Sequence, residues 1–268
     1  MASAGACNVG PSISGSPLLN TLAGGERSQA AEKTAVSYKL FYFDARGRGE
    51  LTRVMFHVTG TAFEDVRYPI AIEMLEGGGY KMTREEYDAA LASGSLDPGM
   101  GQVPILEVNG RKIGQSMAIE RYVARATGLA GADDVEAAQI EQLAETVRDV
   151  KYSFQDAKRG GGEAVEKFFA EKLPKTMQLA EASLPPAASG GSAAPWLVGS
   201  KLSYADLSFL ALCSPLRAGV VEHLPFIANA EAVTSSFQGC PRIKAAIEAA
   251  AALPAITEYL ANRKETQR

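Results

Sequence analysis

At 268 residues the chain can bury a large core, as one big domain or two smaller ones, and 46% hydrophobic with 22% charged residues is ordinary globular composition. A formal net charge of −4 with no basic run leaves no footprint for nucleic acid or an anionic membrane surface, so any anion site must be local. The longest apolar runs fall far short of a bilayer span, and Cys7, Cys213, Cys240, His57 and His223 have neither disulfide-framework nor metal-ligand spacing. These features point to a reducing, cytoplasmic setting with no metal and no membrane.

Residues 1–36 read as a flexible tail, since no charge occurs before Glu26 and Ala, Gly, Ser and Pro dominate. The tail lacks the basic start and apolar block of a signal peptide; a transit peptide is the other reading, with Arg27 as its one arginine. Ser37 to Asp44 is apolar on both faces, the pattern of a central strand. Ala45 to Gly49 then turns into a helix with Glu50 in its first turn, Leu51, Val54, Met55 and Val58 inward and Gly60 as its stop. Thr61 to Tyr68 is the next strand, so the opening reads as a right-handed parallel βαβ unit. Residues 69–100 form a connection longer than compact domains normally carry, with a Gly77-Gly78-Gly79 hinge and a helical piece from Thr83 to Leu91. It reads as a surface insertion or as a lid.

The stretch from Gly101 to Arg125 is the most sharply punctuated. Val103 to Val108 favours a strand, Asn109-Gly110 supplies the two positive-φ positions of a type I′ turn, and Arg111 to Gly114 returns antiparallel. Ser116 reads as the N-cap of a helix whose face carries Ile119, Tyr122, Val123 and Ala126 and which ends at Gly128. Pro104 holds Val103 extended and removes one ladder donor, which leaves adjoining backbone for an extended partner; the cis or trans state of that bond stays open. Free N–H groups at the following helix start favour a carboxylate. Residues 128–134 read as a linker, because everything after them is helical. Val135 to Lys158 and Glu163 to Leu184 form long helices, the second with Val165, Phe168, Phe169, Leu173, Met177 and Ala180 inward and a kink at Pro174. Pro185 to Pro195 is a small-residue loop ahead of an anchoring Trp196. Ser203 and Asp206 form a reciprocal capping box stapled by Leu202 and Leu207, and Ile243 to Ala252 and Pro254 to Arg263 complete the helices.

Three motifs together resemble the glutathione S-transferases, closest to their sigma-like, tyrosine-dependent branch. They are Lys39-Leu40-Phe41-Tyr42-Phe43 with Arg46-Gly47-Arg48, Gly101-Gln102-Val103-Pro104-Ile105-Leu106 followed by Gln115-Ser116, and Gly199 through Ser203-x-Ala205-Asp206. The resemblance spans about Tyr38 to Arg263. It implies an α/β, thioredoxin-like glutathione-binding domain over 37–127 carrying the long insertion near 69–100, a linker at 128–134 and an all-α domain over 135–268. It also implies a homodimer with glutathione as co-substrate and no other cofactor.

Glutathione has two carboxylates, an amine and a thiol, and the thiol sets the chemistry. With a pKa of about 8.5 it is only a few per cent ionised at pH 7, and lowering that by ~2 units is worth about 2.7 kcal/mol. One hydrogen bond to a charged acceptor contributes ~1.5–3 kcal/mol, so a single hydroxyl nearly suffices. The resemblance assigns that hydroxyl to Tyr42, with Arg48 near the thiolate. It gives Gln102, Val103 and Pro104 to the cysteinyl backbone, Gln115 and Ser116 to the γ-glutamyl carboxylate, and Asp149 to the γ-glutamyl amine across a dimer. The tryptophan and lysine that hold the glycyl end in that family have no clear counterpart, and Tyr87 with Lys81 or Arg84 is the nearest replacement. The second pocket is expected beside the turn after Tyr42 and along the helix around Val150 to Phe154, admitting a small hydrophobic electrophile. Such a thiolate would serve conjugation or a glutathione-dependent isomerisation equally; the remaining reading is a non-catalytic relative that carries hydrophobic ligands.

Overall fold

The computed structural model describes residues 36–76, 80–186, 195–213, 233 and 235–264. The tail and the Gly77–Gly79 hinge therefore lie outside the described residues.

The opening unit is β1 (Tyr38–Phe43), α1 (Glu50–Val58) and β2 (Glu64–Tyr68), and β1 pairs with β2 in parallel, as its spacing predicts. The hairpin β5 (Ile105–Val108) and β6 (Arg111–Gly114) joins β1 through an antiparallel β5, giving a four-stranded sheet in the order β2-β1-β5-β6. Asn109 at φ 48° and Gly110 at φ 81° make the turn that their pairing foretold. α3 (Ser116–Thr127) follows and ends at Gly128 in the left-handed region, where only glycine avoids a Cβ penalty. Its buried face holds Ile119, Val123 and Ala124, while Ala126, expected there, is exposed.

Between these parts, residues 69–100 hold a hairpin absent from the sequence reading, β3 (Ala71–Met74) with β4 (Tyr80–Thr83), and then α2 (Glu85–Ala92). The described hairpin side chains are mostly exposed, so it stands on the surface. α2 does the reverse. It drives Tyr87 into a small core with Tyr42, Leu96, Val103 and Ile105, and a helix anchored in that way is part of the sheet domain's interior.

α4 (Asp134–Gly160) starts where Asp133 accepts hydrogen bonds from the N–H groups of Val135 and Glu136. α5 (Gly162–Lys167) and α6 (Leu173–Ala182) flank a π-helical turn, Phe168–Lys172, in which the Leu173 N–H reaches back to the Phe168 carbonyl. The wider turn is how the chain accommodates Pro174, which has no N–H to give and whose ring would strike the carbonyl four residues back. α7 (Tyr204–Cys213), α8 (Pro241–Ala251) and α9 (Pro254–Asn262) complete the described helices.

Asp206 holds the start of α7. Its carboxylate accepts from the Ser203 N–H and hydroxyl, both at 2.7 Å, and from the Leu197 N–H at 2.9 Å. Burial still outweighs these bonds and keeps its carboxyl above the ordinary 3.8. One apolar core runs from Leu51, Met55 and Val123 of the sheet half into Val147, Leu207 and Ile243 of the helical half. The cleft described next opens where α1 and α3 meet α4 and α7.

Candidate functional site

β1 delivers Tyr42 to the end of the sheet, buried on the same face as Leu40 two residues before it. The turn that follows folds back over the ring, so that the Arg48 N–H donates to Tyr42 Oη at 2.9 Å. This approach requires two glycines. A Cβ on Gly47 would lie 2.4 Å from Tyr42 Oη, and one on Gly49 would lie 2.8 Å from the ring carbons. Arg53 of α1, 1% exposed, holds the turn from beneath. Its Nη1 donates to the Ala45 carbonyl at 2.8 Å, its Nη2 to the Phe43 carbonyl at 3.3 Å and its Nε to the Asp65 carboxylate at 3.0 Å, with the guanidinium 5.6 Å from the Tyr42 ring centre. A phenol oxygen that accepts from a main-chain N–H is polarised toward donating its own proton.

The second edge is the loop before β5. Gly101 is in the left-handed region, the Val103–Pro104 bond is cis, and Tyr87 Oη donates to the Gly101 carbonyl at 2.7 Å. Gln115, at φ 67°, is the N-cap and Ser116 the first residue of α3, one position later than the capping expected of Ser116. The Ser116 hydroxyl is therefore not used in closing its own helix, and it lines the cleft together with Gln115, Gln102, Val103 and Pro104. Arg48 reaches the same cleft from the Tyr42 turn.

The third wall is α4, the helix expected to flank the second pocket around Val150 to Phe154. Val150 and Phe154 themselves are 2% and 1% exposed in the main core, while Lys151 and Tyr152 between them face the cleft together with Arg148 and Gln155, at the i, i+3, i+4 and i+7 positions of one helix face. Arg148 and Lys151 also border the adjoining recess beside Gly47 and Arg48. Arg148 is ion-paired to the buried Glu120 of α3 at 2.9 Å. Burial first, and the charge of Glu120 second, hold the neighbouring Tyr204 phenol above its ordinary value.

The expected residues Tyr87, Lys81, Arg84 and Asp149 lie elsewhere. Tyr87 is only 6% exposed, its ring packs 4.9 Å from Phe43 with the Arg84 guanidinium 4.6 Å above it, and its hydroxyl is bonded to Gly101. It supports the loop from behind and does not line the cleft. Arg84 pairs with Asp88, and neither it nor the exposed Lys81 borders the cleft. Asp149 is exposed on another face of α4, in a groove with Tyr152, Asp156, Phe168 and Lys172.

Arg53, Arg148 and Lys151 were not foreseen. For Arg53 a signal existed, because it sits on the inner side of α1 between Leu51 and Val54, but its partner Asp65 lies on another element. The heptad phase of α4 could have found the other two, since Val147, Val150 and Phe154 mark the core face and Arg148 and Lys151 border it.

A main-chain edge and a helix N-terminus at one cleft, with the Tyr42 phenol buried behind the turn that borders it, suit an extended peptide-like anion with a reactive group. Sequence comparison agrees. The profile described as glutathione S-transferase, N-terminal domain, matches residues 79–125, and that described as glutathione S-transferase, C-terminal domain, matches 144–263. Glutathione S-transferase 3 of Caenorhabditis elegans is 30% identical over 238 residues, covering 87% of this chain and 99% of its own. Hematopoietic prostaglandin D synthase of Gallus gallus is 30% identical over 236 residues, covering 86% and 98%. The crystal structure of a glutathione S-transferase from Necator americanus described as monomeric, Na-GST-3, superimposes with a TM-score of 0.62 at 26% identity over 87% of this chain and all of that one. With the same thioredoxin-like sheet followed by helices, and relatives matched over almost their whole length, the chain belongs to the glutathione S-transferase family.

Proposed function

We propose that this protein conjugates glutathione to small electrophiles, with Tyr42 holding the sulfur as thiolate. The observation that carries the reading is the hydrogen bond from the Arg48 N–H to Tyr42 Oη, which fixes the phenol at the turn bordering the cleft. Glutathione would lie along Gln102, Val103 and Pro104 with its γ-glutamyl carboxylate at Gln115 and Ser116, where the helix start supplies N–H donors. Arg48 would add positive charge near the sulfur. The thiol proton leaves to solvent on ionisation, and the sulfur then attacks the electrophilic carbon. No cofactor beyond glutathione enters this scheme, and a cytoplasmic protein without membrane or nucleic-acid partners is the setting proposed for it.

Tyr42→Phe removes the hydroxyl, and with it both the phenolic proton and the acceptor of the Arg48 N–H. It is expected to leave the KM for glutathione nearly unchanged while kcat toward an aryl halide falls about ten-fold or more, the value of one lost hydrogen bond to a charged acceptor. A variant with wild-type turnover would remove Tyr42 from the mechanism. A glutathione-dependent isomerase uses the same thiolate, and the relative named prostaglandin D synthase is the observation in its favour. We further propose a homodimer, with Asp149 acting on the partner's glutathione, because this residue lies outside the cleft of its own chain. A single sedimenting species of monomer mass would exclude it.

A further inference from the structure

The turn that bonds the Tyr42 hydroxyl is bounded by two carboxylates, Asp44 just after β1 and Glu50 at the start of α1. Glu50 is 4% exposed, and a carboxylate buried to that extent needs opposing charge. Arg53 of its own helix lies 3.5 Å away and Arg263, the residue after α9, lies 3.6 Å away. Tyr259 of α9 faces the same carboxylate, and burial first, with the charge of Glu50 second, holds its phenol above the ordinary value. At the other end of the turn, Asp44 accepts hydrogen bonds from Arg67 of β2 at 3.1 Å and from Lys264. Burial opposes the ionisation of Asp44, but the bonds from Lys264 and Arg67 outweigh it and hold the carboxyl below the ordinary 3.8, so the pair is charged at neutral pH. Two adjacent basic residues, the second of them 220 positions along the chain from Asp44, thus reach one carboxylate at each end of the turn. Between those ends Gly47 and Gly49 lie against the Tyr42 ring and the Arg48 N–H bonds its hydroxyl.

We infer that Arg263 and Lys264 are positioning residues for the transferase reaction: by holding Asp44 and Glu50 they keep the turn where the Arg48 N–H meets the Tyr42 hydroxyl, and so favour the thiolate of bound glutathione. The inference rests on the glutathione transferase reading with Tyr42 as donor to the sulfur, and adds the residues that keep that donor in place. Neither basic residue needs to touch glutathione. A hydrogen bond weakens steeply with distance and angle, so a turn released at both ends loses the alignment of the phenol before it loses its fold.

The test compares wild type, Tyr42→Phe, Lys264→Met, Lys264→Arg and the double variant Arg263→Met with Lys264→Met. At saturating glutathione the pH dependence of kcat/KM toward the aryl halide has an acid limb that reports ionisation of the bound thiol. The double variant is expected to lose about five-fold in rate on that limb, the upper scale of an ion pair at a partly exposed site. The limb should move up by roughly 0.7 units, which is the same factor expressed as an acidity. Its KM for glutathione should stay within about two-fold of wild type, because the tripeptide rests on the Gln102 to Pro104 loop and the start of α3. Lys264→Met, at a side chain 58% exposed, keeps the fold and should move the limb the same way by less, while Lys264→Arg retains the charge and should leave it in place. Partial unfolding lowers the rate at every pH without moving the limb, so loss of fold does not mimic the expected result. A limb that Tyr42→Phe moves and the two lysine-removing variants do not would overturn the inference alone. A shift of equal size in Lys264→Arg would also overturn it, as would a raised KM for glutathione with the limb unmoved. A limb that Tyr42→Phe leaves in place would overturn the Tyr42 reading, and the inference with it.

Discussion

The two sides of the cleft are built from different material. On the sheet side the lining residues sit on turns and a helix start, namely the Gly47–Arg48 turn, the Gln102 to Pro104 loop and the first turn of α3, and the backbone there is held from behind by buried side chains. Arg53 ties the Phe43 and Ala45 carbonyls, Tyr87 ties the Gly101 carbonyl, and Tyr42 itself is 7% exposed. On the α4 side the surface is side chains alone, projecting from a helix whose backbone is fully occupied with itself. A main-chain surface can change only if the fold changes, so it suits a ligand that is always the same. A side-chain surface can be rewritten one residue at a time, so it suits a ligand that differs from one relative to the next.

Substitutions on the two sides should therefore differ in kind, and the largest effect belongs to Arg53. Arg53→Met leaves Asp65 without its buried partner and two carbonyls without donors. Removing one member of a buried ion pair typically costs about 3–5 kcal/mol. The urea midpoint should fall accordingly, and conjugating activity should drop as the Tyr42 turn loosens. If Arg53→Met keeps both the midpoint and the turnover of the wild type, the main-chain wall does not depend on its hidden supports and the contrast between the two sides fails.

How much of this was legible in the sequence follows the same division. The Asn109-Gly110 turn, the stop at Gly128 and the Ser203–Asp206 box were readable because the residues that make them are at most a few positions apart. The main-chain wall was readable only through its resemblance to a family, since Gln102, Gln115 and Ser116 have no chemistry of their own that marks a site. Tyr87 was misplaced because a lone aromatic on a short helix gives no sign of which way the helix faces; α2 has three acidic residues in its first turn and one buried side chain. For the stretch around Val150 to Phe154 the sequence marks the helix without saying which residues face the cleft, because Val150 and Phe154 themselves must cover the core beside α7. Arg53 is legible only as a charge on the inner side of α1; what it holds is not, because its partners lie on β1, β2 and the turn after β1, and no local pattern connects them.

A smaller change in the same wall sharpens the comparison. Gly49 has φ −84°, which any residue adopts, so an alanine there carries no backbone penalty and its whole effect is the space its Cβ needs. That space is occupied by the Tyr42 ring at 2.8 Å, closer than a real Cβ contact. The ring or the turn must move, and forcing one extra carbon into a packed site costs about 1–3 kcal/mol, less than the loss expected at Arg53. Activity should be affected more than stability, because the displaced ring carries the hydroxyl while the rest of the core is untouched. Gly49→Ala is thus expected to lower the thermal midpoint by several degrees, about 2–4 °C per kcal/mol in a chain of this size, and to reduce kcat toward the aryl halide further than that midpoint shift alone would explain. A kcat for Gly49→Ala that falls no further than that midpoint shift explains would separate the Tyr42 turn from the chemistry.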